Sequence, residues 1–174
     1  MISIEDLCED TRRFVDDIQK EPDRGVPIVA CAFLDEVLGK LLEAYFISDS
    51  KITKKLLIYP GPLSHFSAKI DIVYCMGLIP QKTYADICLI KNIRNQFSHS
   101  HYPVDFQDKK ISELCNALNF AKITLERMPC SPSARSKFEI SAISVINTIL
   151  MKALSLNHAK LPKNYEVAET VVVG

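Results

Sequence analysis

Residues 27–47 read PIVACAFLDEVLGKLLEAYFI, with charges only at Asp35, Glu36, Lys40 and Glu43. Good helix formers dominate, and Pro27 sits where a first helical turn tolerates a missing N–H. Apolar side chains occupy most of the circumference. A helix apolar on most sides is a buried helix and needs other elements to cover it. The fold question is therefore what the rest of the chain supplies as cover.

The flanking sequence supplies helices. Upstream, Ser3 with Asp6 resembles a capping box, and Leu7, Val15 and Ile18 follow with charges between them. This predicts a first helix to about Gln19, broken by EPDRGVP (21–27). Downstream, Asp49 or Ser50 caps a short helix through KITKKLLIY (51–59), and YPGPL (59–63) is the clearest loop. Ser64 opens SHFSAKIDIVYCM, which Gly77 stops. Pro80 opens a helix over about 81–98, and HSHYPVDF (99–106) is an irregular connection. ISELCNALNFAKITLERM (111–128) reads as one helix, punctuated by CSPS (130–133). SARSKFEISAISVINTILMKALSL runs from 133 to about Asn157. The closing YEVAETVVVG has strand propensity but no partner. With no run of alternating strands, the reading is all-α. It is a single-domain bundle of six or seven helices over residues 1–160, with a C-terminal tail at 161–174.

Composition excludes several classes. The chain has 174 residues, 48% hydrophobic and 24% charged, enough for one self-sufficient core. Its formal net charge is zero, with 21 basic and 21 acidic side chains, so no global field draws it to nucleic acid. Six cysteines (8, 31, 75, 88, 115 and 130) form no C-x-x-C pair, and most sit among apolar neighbours. The first twenty residues carry charges throughout, unlike a secretory leader, and no apolar stretch approaches the roughly 20 residues of a membrane span. A reduced cytoplasmic compartment is expected. Five glycines give no phosphate-binding pattern, and Ser64, Ser98 and Ser100 have no nucleophile-elbow context. No cofactor and no metal site are implied.

The segment LIKNIRNQFSHSHYP (89–103) holds the candidate site. Ile90, Ile93 and Phe97 recur three and four apart, so they share a core face. Arg94 lies at the rim of that face, with Asn95 about 100° further round. His99 follows Arg94 by five residues, about 140° away on a regular helix, but Pro103 predicts fraying near His99, and a distorted last turn could bring either histidine towards Arg94. His101 and Tyr102 precede Pro103, which ends the helix. Arginine holds phosphate with a planar fork, and histidine moves protons near neutral pH. Equally, a histidine in a last turn answers the helix dipole, and Arg94 could pair with Asp86, Asp105 or Asp108. KITKK with Lys91 and Arg94 is a second candidate, a basic patch for RNA or an acidic partner.

Residues 61–100 as a block resemble the mannitol repressor family of bacterial regulators. The marks are the GPL loop, the F-S-A-K-I helix, G-L-I at a helix end, and I-R-N-x-F-x-H-S. The resemblance implies an all-helical transcriptional regulator without its own DNA-binding domain, acting through a protein partner, with a homodimer compatible. R-N-Q-F-S-H is also similar to the R-x4-H pattern of the HEPN superfamily, many of whose members are dimeric ribonucleases. That resemblance would make Arg94 and His99 a metal-independent catalytic pair, with Asn95, His101 and Tyr102 as auxiliaries and RNA as substrate. The first resemblance supports the leading expectation, and the ribonuclease is the alternative. The nearest helix-turn-helix candidate, GLIPQKTYADICLIKNIRNQ, has too many apolar positions to lie free in a DNA groove.

Overall fold

The computed structural model describes residues 4–125 and 132–156. Among them are eight helices and no strand. The helices are α1 (Ile4–Lys20), α2 (Gly25–Tyr45), α3 (Ser50–Leu57), α4 (Phe66–Cys75), α5 (Gln81–His99), α6 (Lys109–Ala117), α7 (Asn119–Leu125) and α8 (Ala134–Ser155). The expected tail at 161–174, the Ser3 cap, Cys8's side chain and Cys130 lie outside what is described.

The apolar helix read first is the centre of the bundle. Helix α2 packs against α8, α5, α1 and α4, and nine of its residues are buried. Leu34, Leu38, Leu41 and Leu42 have no exposed surface. Truncating one such leucine to alanine costs about 2–5 kcal/mol. Helix α8 is the second core element, packed on α1, α2, α5, α6 and α7. By length and composition α8 is apolar enough to cross a membrane, which corrects the expectation that no stretch approaches that limit. Its apolar positions, Phe138, Ala142, Val145, Ile146, Ile149 and Leu150, are spent inside the bundle, as in a core helix.

The helix expected over 111–128 is two helices. Leu118 takes extended backbone angles (φ −60°, ψ 128°) and α7 starts afresh at Asn119. The cause is Asp86 of α5, a carboxylate with no exposed surface. Its Oδ1 accepts from the Asn119 N–H (2.8 Å) and Nδ2 (2.7 Å), and its Oδ2 accepts from the Phe120 N–H (3.0 Å). A cap normally comes from the preceding residue, but here a distant helix supplies it.

The break at 21–25 is a junction. Arg135, at the start of α8, donates to Glu139 Oε1 (2.8 Å), Asp23 Oδ1 (2.8 Å), Glu21 O (2.9 Å) and Ile18 O (3.2 Å). It thereby satisfies carbonyls that the end of α1 leaves open. Asp23 also accepts from the Phe106 N–H (3.3 Å), and Arg24 donates to Ser100 O (3.1 Å). Phe106 then packs between Phe97 and Phe138 in tilted ring contacts, with centroids 5.1 and 5.6 Å apart. The connection after α5 is held from both sides.

Two turns explain residues that stood out in the sequence. Gly77 adopts φ 67°, and the bonds Gly77 N–H to Tyr74 O and Leu78 N–H to Val73 O (both 2.9 Å) close α4. This is the paired closure that favours glycine, with Leu78 and Ile79 buried after it. Gly61 presses on α3, where an added Cβ would lie 2.3 Å from the Leu56 carbonyl oxygen. The Leu63 N–H takes that carbonyl at 2.9 Å, so α3 stops at Leu57 and does not reach Tyr59. Ser64 bonds back to Gly61 O (2.7 Å), and α4 begins at Phe66. Lys69, nearly buried, joins α4 to α2 through Asp35 Oδ1 at 2.9 Å.

Two measurements test this packing. Asp86→Ala leaves three part-buried donors without their carboxylate acceptor and should cost about 1–3 kcal/mol in urea unfolding. An unchanged midpoint would remove its capping role. Burial pushes the Cys31 thiol up to about 11, against the pull of the adjacent Arg94, and burial pushes Cys115 up to about 12. Both folded values lie above the ordinary 9.0, so their contribution is intact below pH 9 and drains as pH rises towards 11 and beyond. A Cys31→Ala/Cys115→Ala variant should lose stability less steeply over that range than the parent chain.

Candidate functional site

Helix α5 is regular through His99, and Ser100 ends it with extended angles (φ −74°, ψ 125°). The angular reading of the candidate residues therefore carries into three dimensions. Ile90, Ile93 and Phe97 are fully buried. Arg94 is half-buried and lies near the Cys31 thiol of α2, where its charge acts to lower the thiol's pKa, while the thiol itself donates to Ile90 O (3.8 Å). Its three expected acidic partners are engaged elsewhere. Asp86 caps α7, Asp105 accepts from the Gln107 N–H (2.8 Å), and Asp108 accepts from the N–H groups of Lys110 (3.0 Å) and Ile111 (3.2 Å).

Asn95 and His99 face the other way. With Gln96, Val104, Asp108 and Lys110 they line an open cleft of about 350 Å³ between the end of α5 and the start of α6. Arg94 does not line it. His101 is exposed, and Tyr102 is 80% exposed. Their backbone is steadied by Ser100, whose Oγ donates to Tyr102 O (2.8 Å) and accepts from the Tyr102 N–H (3.2 Å). The structure thus brings Asn95 and His99 together and sets Arg94 on a different surface of the same chain.

Gln96 is not singled out in the sequence, and Lys110 reads there only as a solvated basic pair with Lys109. Lys110 is contributed by α6, and only packing of α6 on α5 puts it near His99. The cleft holds an imidazole, an ammonium, two side-chain amides and a carboxylate. It is partly open, with hydrogen-bonding groups spread along its walls. Among the described residues, no group of three or more His, Cys, Asp or Glu is arranged to hold a metal ion.

The basic-patch candidate also divides. Lys91 donates to Ser67 Oγ of α4 (3.2 Å), while Lys51, Lys54 and Lys55 stay exposed on α3. The helix-turn-helix candidate is excluded by burial. Thr83, Asp86, Ile87, Ile90, Ile93 and Phe97 of α5 are all inside, with α5 packed on α2, α4, α6, α7 and α8.

Most of the marks in the 61–100 block now have architectural roles. Gly61 closes the α3 loop, Lys69 pairs across α4 and α2, Gly77 ends α4, and Ile93 and Phe97 fill the core. What remains without such a role is Asn95, His99 and their cleft.

Comparison with known proteins agrees with this architecture. Residues 18–156 match the family model for the mannitol repressor. The fold resembles a chain in the X-ray structure of the MtlR–HPr complex from Escherichia coli. That match has a TM-score of 0.69 at 21% identity, covering 82% of this chain and 99% of that one. It also resembles a possible transcriptional regulator, YggD, from Shigella flexneri 2a. There the TM-score is 0.63 at 14% identity, covering 82% of this chain and 95% of the other. No curated protein sequence matches. With the family model spanning most of the chain and the helical fold shared, this protein belongs to the mannitol repressor family.

Proposed function

We propose that this protein is a cytoplasmic transcriptional regulator that acts by binding a protein partner and does not read DNA itself. The observation that carries the reading is the burial of α5. The segment nearest to a recognition helix is a core element, and exposing it would forfeit about 1.5–3 kcal/mol for each of its large apolar side chains. Zero net charge supports the same conclusion. The partner class is suggested by the structural relative solved as a complex with HPr. The natural partner is then HPr or a protein like it, or a component of the transcription machinery.

Two assays on the purified protein test this. Calorimetric titration with HPr from the same organism should give saturable binding, and gel shifts with upstream DNA should show no sequence-specific complex. A tight, specific DNA complex would overturn the proposal.

A metal-independent ribonuclease using Arg94 and His99, with Asn95, His101 and Tyr102 as auxiliaries, is the competing reading. It needs both side chains at one phosphate. In a single chain Arg94 lies against Cys31 and His99 in the α5–α6 cleft, so this chemistry would require a second copy to complete the site. Incubation with RNA in the presence of a chelator should give no cleavage that depends on these residues. Cleavage lost in both Arg94→Ala and His99→Ala would reverse the order of the two readings.

A further inference from the structure

Helix α3 stands apart from the bundle in what it exposes. Only Thr53 and Leu57 are buried. Lys54, Lys51, Lys55 and Ile52 follow one another around about 160° of the outward side. Ile52 is 47% exposed, and just beyond the helix Ile58 and Tyr59 are 60% and 78% exposed. Large apolar side chains left in water next to three unshielded ammonium groups form a mixed surface of the kind partners cover.

This surface is also rigidly built. The Asp49 carboxylate caps α3 through the N–H groups of Lys51 and Ile52, both at 3.1 Å. At the other end, Gly61 N–H to Ile58 O (2.8 Å) and Leu63 N–H to Leu56 O (2.9 Å) hold the loop that presents Ile58 and Tyr59. Only glycine fits where Gly61 meets the Lys55 and Leu56 carbonyls. Fixing these side chains in advance lowers the ordering cost of binding.

We infer that α3 and the 58–60 loop form a docking surface for an acidic polypeptide segment that also carries apolar side chains. The lysines select negative charge, and Ile52, Ile58 and Tyr59 supply the apolar contact. A lipid surface fits less well, because an interfacial helix separates its apolar and cationic faces, whereas Ile52 here lies beside Lys51 and Lys55. Nucleic acid fits less well too. The patch has no arginine fork for phosphate and one aromatic ring for stacking. Glu43, beside Lys54, marks the edge of the patch. The inference does not rest on HPr as partner, since the two bindings are measured separately.

The test uses the full chain and three probes followed by fluorescence anisotropy: poly-L-glutamate, a glutamate–tyrosine copolymer and single-stranded polyuridine RNA. The copolymer should bind more tightly than polyglutamate, and polyuridine weakest. Replacing Lys51, Lys54 and Lys55 together by Gln should weaken copolymer binding by about tenfold. The Ile52→Ser/Ile58→Ser pair should leave polyglutamate binding unchanged and abolish the advantage of the copolymer. All five side chains are exposed, and circular dichroism verifies that each variant keeps its helices. Copolymer binding that is absent, or equal in parent and variants, overturns the inference, as does a preference for polyuridine.

Discussion

Everything in this fold answers to the need to cover α2. A 21-residue helix with apolar residues on nearly every side cannot remain folded in water. Helices α8, α5, α1 and α4 each take one side of it. Helix α8 is nearly as apolar and brings the same demand, which α6 and α7 help to meet. The polar links then select one arrangement among the ways of stacking helices. Arg135 joins the ends of α1 and α8, Lys69 joins α4 to α2, and Asp86 joins α5 to α7.

That arrangement decides what each part of the surface can do. Helix α5 buries six residues and packs on five other helices. Towards its end Asn95 and His99 meet Lys110 of α6. Arg94, one residue before Asn95, lies instead near the Cys31 thiol. A step of about 100° on one helix is enough to separate the two. Residues adjacent in sequence therefore belong to different environments.

Helix α3 is the exception to the covering rule. It contributes two buried residues to the bundle and leaves isoleucine, tyrosine and lysine side chains in solvent. Its cap at Asp49 and the closure at Gly61, with Thr53 and Leu57 buried, keep it shaped. The bundle can thus carry an exposed segment whose loss of burial it does not need to recover.

The sequence by itself determined the all-helical class, the central helix, the glycine stop at Gly77 and the core face of α5. These follow from local rules: periodicity, turn chemistry and the fixed rotation per residue. The resemblance in 61–100 likewise pointed to the family. The sequence left open whether the end of α5 would fray and bring His99 round to Arg94; the structure keeps α5 regular through His99. What only the tertiary structure decided was the break at Leu118, the early end of α3, the meeting of His99 with Lys110 and the hub at Arg135. Most depend on a group distant in the chain, such as Asp86, 33 residues from Asn119, and the end of α3 depends on how the loop at Gly61 and Leu63 folds back onto it. Periodicity describes how a helix presents its faces. It carries no information on which carboxylate, carbonyl or lysine another helix will bring to meet them.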